Sequence, residues 1–164
     1  MGVENIKLGI CDVTFKGTAL GLTKGGVELE VQTQTHETKV DNFGETIVNE
    51  FIQGRSVMIK IPMAETHLDN LALIMPGSKI NTAKDLVSIG NGNGISLFET
   101  AGVMVLTPVG DPSEKITIPL ANTKGSITFA YKHNEERVFN TEWTGYPDVA
   151  TGEMFTVGSG NPDP

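Results

Sequence analysis

The residues of this chain whose types could do chemistry are three histidines, one cysteine, a short glycine run, one serine among glycines and several pairs of carboxylates. His36, His67 and His133 lie far apart, and none has a second His or Cys at metal-ligand spacing, so no zinc pattern is present and no metal is expected. Each is expected to be solvated or hydrogen-bonded. Cys11 sits in IKLGICDVTF, a stretch that alternates as a half-buried strand does, and a lone thiol cannot form an internal disulfide; it is expected as a small core hydrophobe, not a nucleophile. Ser159 follows Val157-Gly158 but no G-x-S-x-G surrounds it, which leaves it outside the geometry of a nucleophile elbow.

The stretch Gly90-Asn91-Gly92-Asn93-Gly94 could bring backbone N–H groups close to a phosphate, yet it lacks the third glycine of G-x-G-x-x-G. No Gly-Lys-Ser/Thr follows either, and the next segment looks like a strand, so a hairpin turn is the better reading. Glu28 with Glu30, Glu135 with Glu136, and the single acids Asp12 and Asp148 read as solvated faces, since nothing in the sequence builds a pocket that would split their pKa values. No catalytic residue and no cofactor are expected, and the chain is not read as an enzyme.

The elements that position these side chains are mostly strands. Nineteen glycines, with threonine, valine and isoleucine in short alternating runs, predict strands at 6–15, 26–39, 55–61, 95–98, 102–107, 115–120, 125–132, 136–143 and 153–157. Turn residues separate most of them: Lys24-Gly25-Gly26, Asn91 to Gly94, Gly110-Asp111-Pro112 and Thr123-Lys124-Gly125. The exception is AETHLDNLALIMPG, where Leu68, Leu71, Ala72 and Met75 share one helical face, Thr66 and Asp69 resemble a capping box, and Pro76-Gly77 forms a stop. The fold class is therefore mainly β: a β-sandwich or barrel of two packed sheets with one short flanking helix. One domain is expected over 1–157, with 158–164 as a flexible tail.

Charge and hydropathy limit the partners. The formal net charge of −8, from twenty acidic and twelve basic side chains, argues against a general grip on nucleic-acid phosphates, which depends on Lys and Arg displacing counterions. The longest apolar run, Leu71 to Met75, is far short of a membrane helix, and Glu4 and Lys7 with no apolar stretch behind them do not resemble a secretory signal. A soluble protein made in a reducing compartment is expected.

One stretch sets a physical problem. In GVELEVQTQTHETKVD, Val27, Leu29 and Val31 alternate with Glu28, Glu30 and Gln32, as a strand with one buried face should. The same beat then continues with Thr33, Thr35, Glu37 and Lys39 in the apolar phase, so the strand outruns its own core. Residues 41–54 follow with Phe43, Ile47, Val48, Phe51 and Ile52, too apolar for a loop left in water. They either fold back on their own domain or dock on another subunit, and the density of apolar residues beside a long polar strand favours docking.

The runs TFKGTALGLTKGGVELEVQTQTHETKVDNFGETIVNEFIQGRSVMIKIPMAETHLDNLALIMPG, residues 14–77, and YKHNEERVFNTEWTGYPDVATGEMFTVG, residues 131–158, resemble the major tail tube proteins of bacteriophages with long, non-contractile tails. The resemblance rests on the series KGGVELEV, HE, VD-x-FG and NE-x-I-x-G-R in that order, over more than half of the chain. It implies hexameric rings stacked into a hollow tube in the virion, assembled in the host cytoplasm, with inner sheets joined edge to edge between subunits. It implies that Glu28, Glu30, Gln32 and Gln34 face a lumen through which double-stranded DNA passes without specific binding, while Val27, Leu29 and Val31 point into the sandwich. The matching loop at Asp41, Asn42, Phe43 and Gly44 would reach a neighbouring subunit or ring, with Glu50 and Arg55 as partners across subunits. A tape measure protein and tail terminator or tail tip proteins are implied as further partners, and no membrane. Two other classes remain open: a type VI secretion-like tube subunit, which shares a ring-forming fold, and a carbohydrate-binding or adhesion module, disfavoured because adhesive sites display clustered aromatics whereas this chain has one tryptophan, Trp143, and only two tyrosines.

Overall fold

Alternation decides the architecture. Val57, Ile59, Ile61 and Met63 on one strand and Phe139, Thr141, Trp143 and Gly145 on its neighbour are buried, while Met58, Lys60, Asn140 and Glu142 between them are exposed, so this part of the sheet has one dry face and one wet face. The structure, a computed structural model, describes residues 2–3 and 9–161. Its strands are β1 (Cys11–Phe15), β2 (Thr18–Ala19), β3 (Glu28–Lys39), β4 (Ile47–Met63), β5 (Lys79–Ile80), β6 (Val87–Ser88), β7 (Gly102–Pro108), β8 (Ile116–Thr123), β9 (Phe139–Tyr146) and β10 (Thr156–Val157), with the helix α1 (Leu68–Ile74) between β4 and β5. An antiparallel eight-stranded sheet runs β2-β1-β7-β8-β9-β4-β3, with β10 joined to β8, and β5 pairs with β6 separately.

The large sheet folds over on itself to make the layers of a sandwich. Phe15 of β1 meets Trp143 of β9 edge to face at 4.6 Å, although β7 and β8 stand between those strands in the sheet. Val13, Met104, Leu106, Ile118, Val57, Ile59 and Ile61 fill the space around this pair. The chain also draws the two sheet edges together: Leu20 N donates to Val13 O at 2.9 Å, and a few residues later Ala64 N donates to Leu22 O at 2.9 Å and Lys24 N to Pro62 O at 3.0 Å. Gly21 takes φ +84° at this crossing, and a Cβ there would strike the Glu65 carboxylate, whose Oε1 accepts from Leu22 N at 3.0 Å.

α1 closes the end of the core beside this crossing with Leu71 and Ile74. Asn70 is buried on the same side, and its Nδ2 donates to Leu20 O at 2.9 Å and to Glu65 O at 2.8 Å, so a side-chain amide satisfies two carbonyls that the sheet leaves open. The buried face of the helix is thus centred one residue away from the one predicted: Leu68 is exposed and Ile74 is buried. The cap differs too. His67, not Thr66, is the N-cap, with Nδ1 accepting from Asn70 N at 3.4 Å; the Thr66 hydroxyl instead accepts from Arg137 Nε at 3.0 Å.

Other predicted strands shift. Residues 95–98 and 125–132 have strand-like composition but no ladder: Thr100 N turns back to Ser96 O, and Gly125 adopts φ +77° against Met75 and Pro76 of the helix stop. The first predicted strand is described only from Gly9 onward, its residues 6–8 lying outside the described residues, as do 162–164 of the tail. The segment 41–54 is loop only as far as Thr46; from Ile47 it is strand.

Asn70→Ala strands two buried carbonyls, and an expected loss of about 2–4 kcal/mol follows from the two hydrogen bonds and the uncompensated desolvation. Urea denaturation of the variant against wild type checks it.

Candidate functional site

The unusual feature is a difference in length. β4 spans 17 residues, and β9 pairs with it only from Val57 to Met63; β3 pairs with it from Lys60 down to Ile47. Below Val57, therefore, β3 and β4 continue as a two-stranded arm with no third strand beside them among the described residues. From Gln32 to Lys39 this arm is roughly 25 Å long at about 3.4 Å per residue. A two-stranded ribbon in water is marginal on its own, because neither face is covered.

The side chains of the arm do not match a solvated ribbon. Phe51 and Ile52 are each 58% exposed, and Val40, Ile47 and Val48 are exposed beside them. Phe43, at 64%, stands in the 3-10 turn Asp41–Phe43 at the tip, and Gly44 follows with φ +62°. The tip is tied locally: Phe43 N donates to Val40 O at 3.0 Å, Gly44 N to Asp41 O at 3.2 Å, and Lys39 Nζ meets Glu45 Oε2 at 2.9 Å. The tip residues Asp41, Asn42, Phe43 and Gly44 are thus gathered in one exposed turn. Phe43 does not plug its own core, and 41–54 do not fold back on the sandwich.

Two bulges organise the faces. The register skips Gln53, between Gln34 opposite Gly54 and Thr35 opposite Ile52, and skips Val48 near the tip. As a result the core-side face of the sandwich continues along the arm as Thr33 opposite Arg55, Thr35 opposite Ile52, Glu37 opposite Glu50 and Lys39 opposite Ile47. Glu50 and Arg55 are therefore on one face of one arm, in different rows.

The wet face holds Glu28, Glu30, Gln32 and Gln34 together, all exposed, with Gln32 Nε2 donating to Glu30 Oε1 at 2.8 Å. Val27 and Leu29 pack against the core; Val31, although on the core side, remains 39% exposed, because it stands opposite Val57, where β9 ends. The face extends over two more strands in a way the linear sequence does not reveal. Lys60 lies opposite Glu28, and Glu142 opposite Lys60, so acid, base and acid alternate across β3, β4 and β9. At this end a groove of about 640 Å³ includes Lys24, Lys60 and Lys124 as well as Glu28 and Glu142. Lys24 is held by Glu136, and its hydrogen bond keeps the Glu136 carboxyl below the usual range, helped by the carboxylate's backbone contact and the charge of Lys24. The face is acidic and amide-rich towards the arm and mixed in sign at the groove.

The candidates for chemistry are dispersed. His67 caps the helix, His36 lies on β3 opposite Phe51, and His133 is in an exposed loop. Cys11 packs partly against the core, and burial, with the adjacent Asp12 charge second, raises its thiol pKa.

No protein-family model and no curated protein matches this chain. Among solved structures, it is similar to a chain in the virion of a native gene transfer agent (GTA) particle, with a TM-score of 0.53 and 9% sequence identity, over 91% of this chain and 95% of that one. At that identity the likeness is one of fold.

The exposed ribbon should be the first part of the backbone to open. Trypsin at a low ratio is expected to cut after Lys39 and Arg55 before it cuts after Lys60, whose backbone lies between β3 and β9. Mass spectrometry of the early fragments gives the order.

Proposed function

We propose that this chain is a structural virion protein, not an enzyme, that polymerises as stacked hexameric rings into the tail tube of a phage and forms a conduit for genome ejection. The single observation that supports the reading most is the arm: β3 and β4 extend past the last supporting strand while exposing Phe43, Phe51 and Ile52. A long unpaired edge with apolar side chains aggregates unless something covers it, and a ring of identical subunits covers it everywhere at once. The fold likeness to a chain of a gene transfer agent virion supports placing the protein in a particle.

In such a ring the sheets β8-β9-β4-β3 of neighbouring subunits join into one closed barrel, and the wet face of each lines the bore. Glu28, Glu30, Gln32 and Gln34 then present acid and amide groups to the passing duplex. Screening over about 8 Å confines their repulsion to the wall, so DNA near the axis moves freely and DNA that strays is pushed back. Lys60, which lies opposite Glu28 and Glu142, limits the net field at the groove end, and Lys124 lines the same groove. The tip at Asp41 to Gly44 reaches the next ring, and the ends of the tube meet tape measure and terminator or tip proteins.

Deleting residues 41–50 removes the tip and the lower arm but no core contact, so the variant is expected to stay folded, with a cooperative thermal transition close to that of wild type by circular dichroism, while forming no tubes by negative-stain microscopy. Normal assembly of that variant would contradict the proposed role of the arm. Glu28→Lys with Glu30→Lys converts the wall into a cationic track, and DNA ejection from otherwise intact particles is expected to slow by about tenfold or more and to become salt-dependent; unchanged ejection would remove these residues from the bore.

A further inference from the structure

The glycine and asparagine run that follows β6 has a chemistry of its own. Gly90 to Gly94 are all exposed, and Asn91-Gly92 and Asn93-Gly94 are the two Asn-Gly pairs of the sequence. At such a pair the peptide nitrogen of the glycine attacks the asparagine Cγ. A C–N bond forms, the bond from Cγ to the side-chain NH2 breaks, and that group leaves as ammonia with the glycine's proton. Water then opens the succinimide at either carbonyl, which leaves aspartate or isoaspartate. Glycine favours the attack because no Cβ shields the nitrogen and its backbone turns easily. Asn42, Asn49 and Asn134 are also exposed, but Phe43, Glu50 and Glu135 follow them, and Asn49 Oδ1 already accepts from Glu50 N at 2.9 Å.

The two pairs share their neighbours and differ in structure. Each asparagine stands between two glycines, so local sequence favours neither. Ile95 N donates to Gly92 O at 3.2 Å, which closes a turn with Asn93 and Gly94 at its centre. Asn93 keeps a negative φ and Gly94 takes φ +86°, the pattern of a type II turn. In that turn ψ of the first central residue is about +120°, which carries the next peptide nitrogen away from its Cβ. Ring closure at Asn93 therefore needs a rotation of roughly 120° about its Cα–C bond, and that rotation breaks the turn. The turn is also seated, since Ile95 is half-buried and its Cδ1 occupies the place that a Cβ on Gly77 would take, beside the stop of α1. Asn91 lies just outside it. Among the described residues neither the Asn91 side chain nor the Gly92 N–H is hydrogen-bonded, so nothing holds their peptide away from the reactive geometry.

Independently of the tube reading, we propose that this loop carries a self-modification site at Asn91, which deamidates through the Gly92 nitrogen while the 92–95 turn holds Asn93 back. Water is the sole co-reactant. Each conversion adds one carboxylate to a chain of formal net charge −8, and the isoaspartate product lengthens the main chain of the loop by one carbon. None of Gly90 to Gly94 lines the groove on the wet face, so the added charge falls outside the proposed bore wall.

The test is peptide mapping of the full chain held in warm, mildly alkaline buffer, by mass spectrometry with a fragmentation that separates aspartate from isoaspartate at each position. Asn91 is expected to convert about threefold or more faster than Asn93 in the folded chain, because only Asn93 must first open its turn. In the urea-unfolded chain, where the matched neighbours alone decide, the two rates are expected to agree within about twofold. Ile95→Ala, shown to be folded by circular dichroism, removes the side chain that seats the turn and is expected to bring Asn93 to within about twofold of Asn91. Asn91 staying intact in the folded chain, Asn93 converting as fast or faster, or Asn42 and Asn134 converting as fast as Asn91 would overturn the site. The same excess of Asn91 over Asn93 in urea, or in Ile95→Ala, would overturn the part assigned to the turn.

Discussion

Sheet support ends at Val57, and the rest of the structure follows from that limit. β9 accompanies β4 only as far as its pairing with Gly145, so from Val57 upward every second residue of β4 is buried, and below it none is. Trp143, Phe15 and the aliphatic residues around them need only the upper part of the strand. The lower part adds length without adding core, and burial of apolar area cannot stabilise it within one chain. What it adds is two open edges and a set of exposed apolar and charged side chains, which the proposed ring would cover with other copies of the chain.

The wet face has a different logic. Its carboxylates and amides alternate with core residues on the same strands, so the β-period that builds the sandwich also fixes which groups face outward. Turning Glu28 and Glu30 inward would bury two carboxylates at several kcal/mol each. The alternation of Glu28, Lys60 and Glu142 across three strands keeps the groove end close to neutral, whereas the Glu30, Gln32 and Gln34 portion has no lysine opposite it. As the wall of the proposed tube, such a face would oppose adhesion of a polyanion without the extreme field that would make neighbouring subunits repel one another.

Much of this was legible in the sequence where one face is dry. The beat of Val27, Leu29 and their acidic neighbours identified β3, and the same period identified β7, much of β8 and the upper half of β4. The lower half of β4 was missed as a strand for a physical reason: the bulges at Val48 and Gln53 each shift the phase of the strand, and Phe51 and Ile52 put apolar side chains on both of its faces, so no alternation of apolar and polar residues survives in the sequence. Tertiary contacts hid other details. The Thr66 hydroxyl is taken by Arg137 from far along the chain, leaving His67 to cap α1, and Asn122 Nδ2 holds the 95–101 segment through Leu97 O and Thr100 Oγ1, overriding its strand-like composition. On the wet face the alternation that exposes Glu28, Glu30, Gln32 and Gln34 was legible, but Lys60 and Glu142 beside them were not, since Glu37 opposite Glu50 and Lys60 opposite Glu28 depend on a register that spacing alone does not fix.

The claim on which the account turns is that other copies of this chain supply the contacts its arm lacks. Backbone amide exchange of residues 33–39 and 47–55, compared between dilute and concentrated protein, measures this most directly. Protection that rises in the arm with concentration, while Ile59 to Met63 stay equally protected throughout, is the predicted result. Arm amides that exchange at the same rate in both states would contradict it.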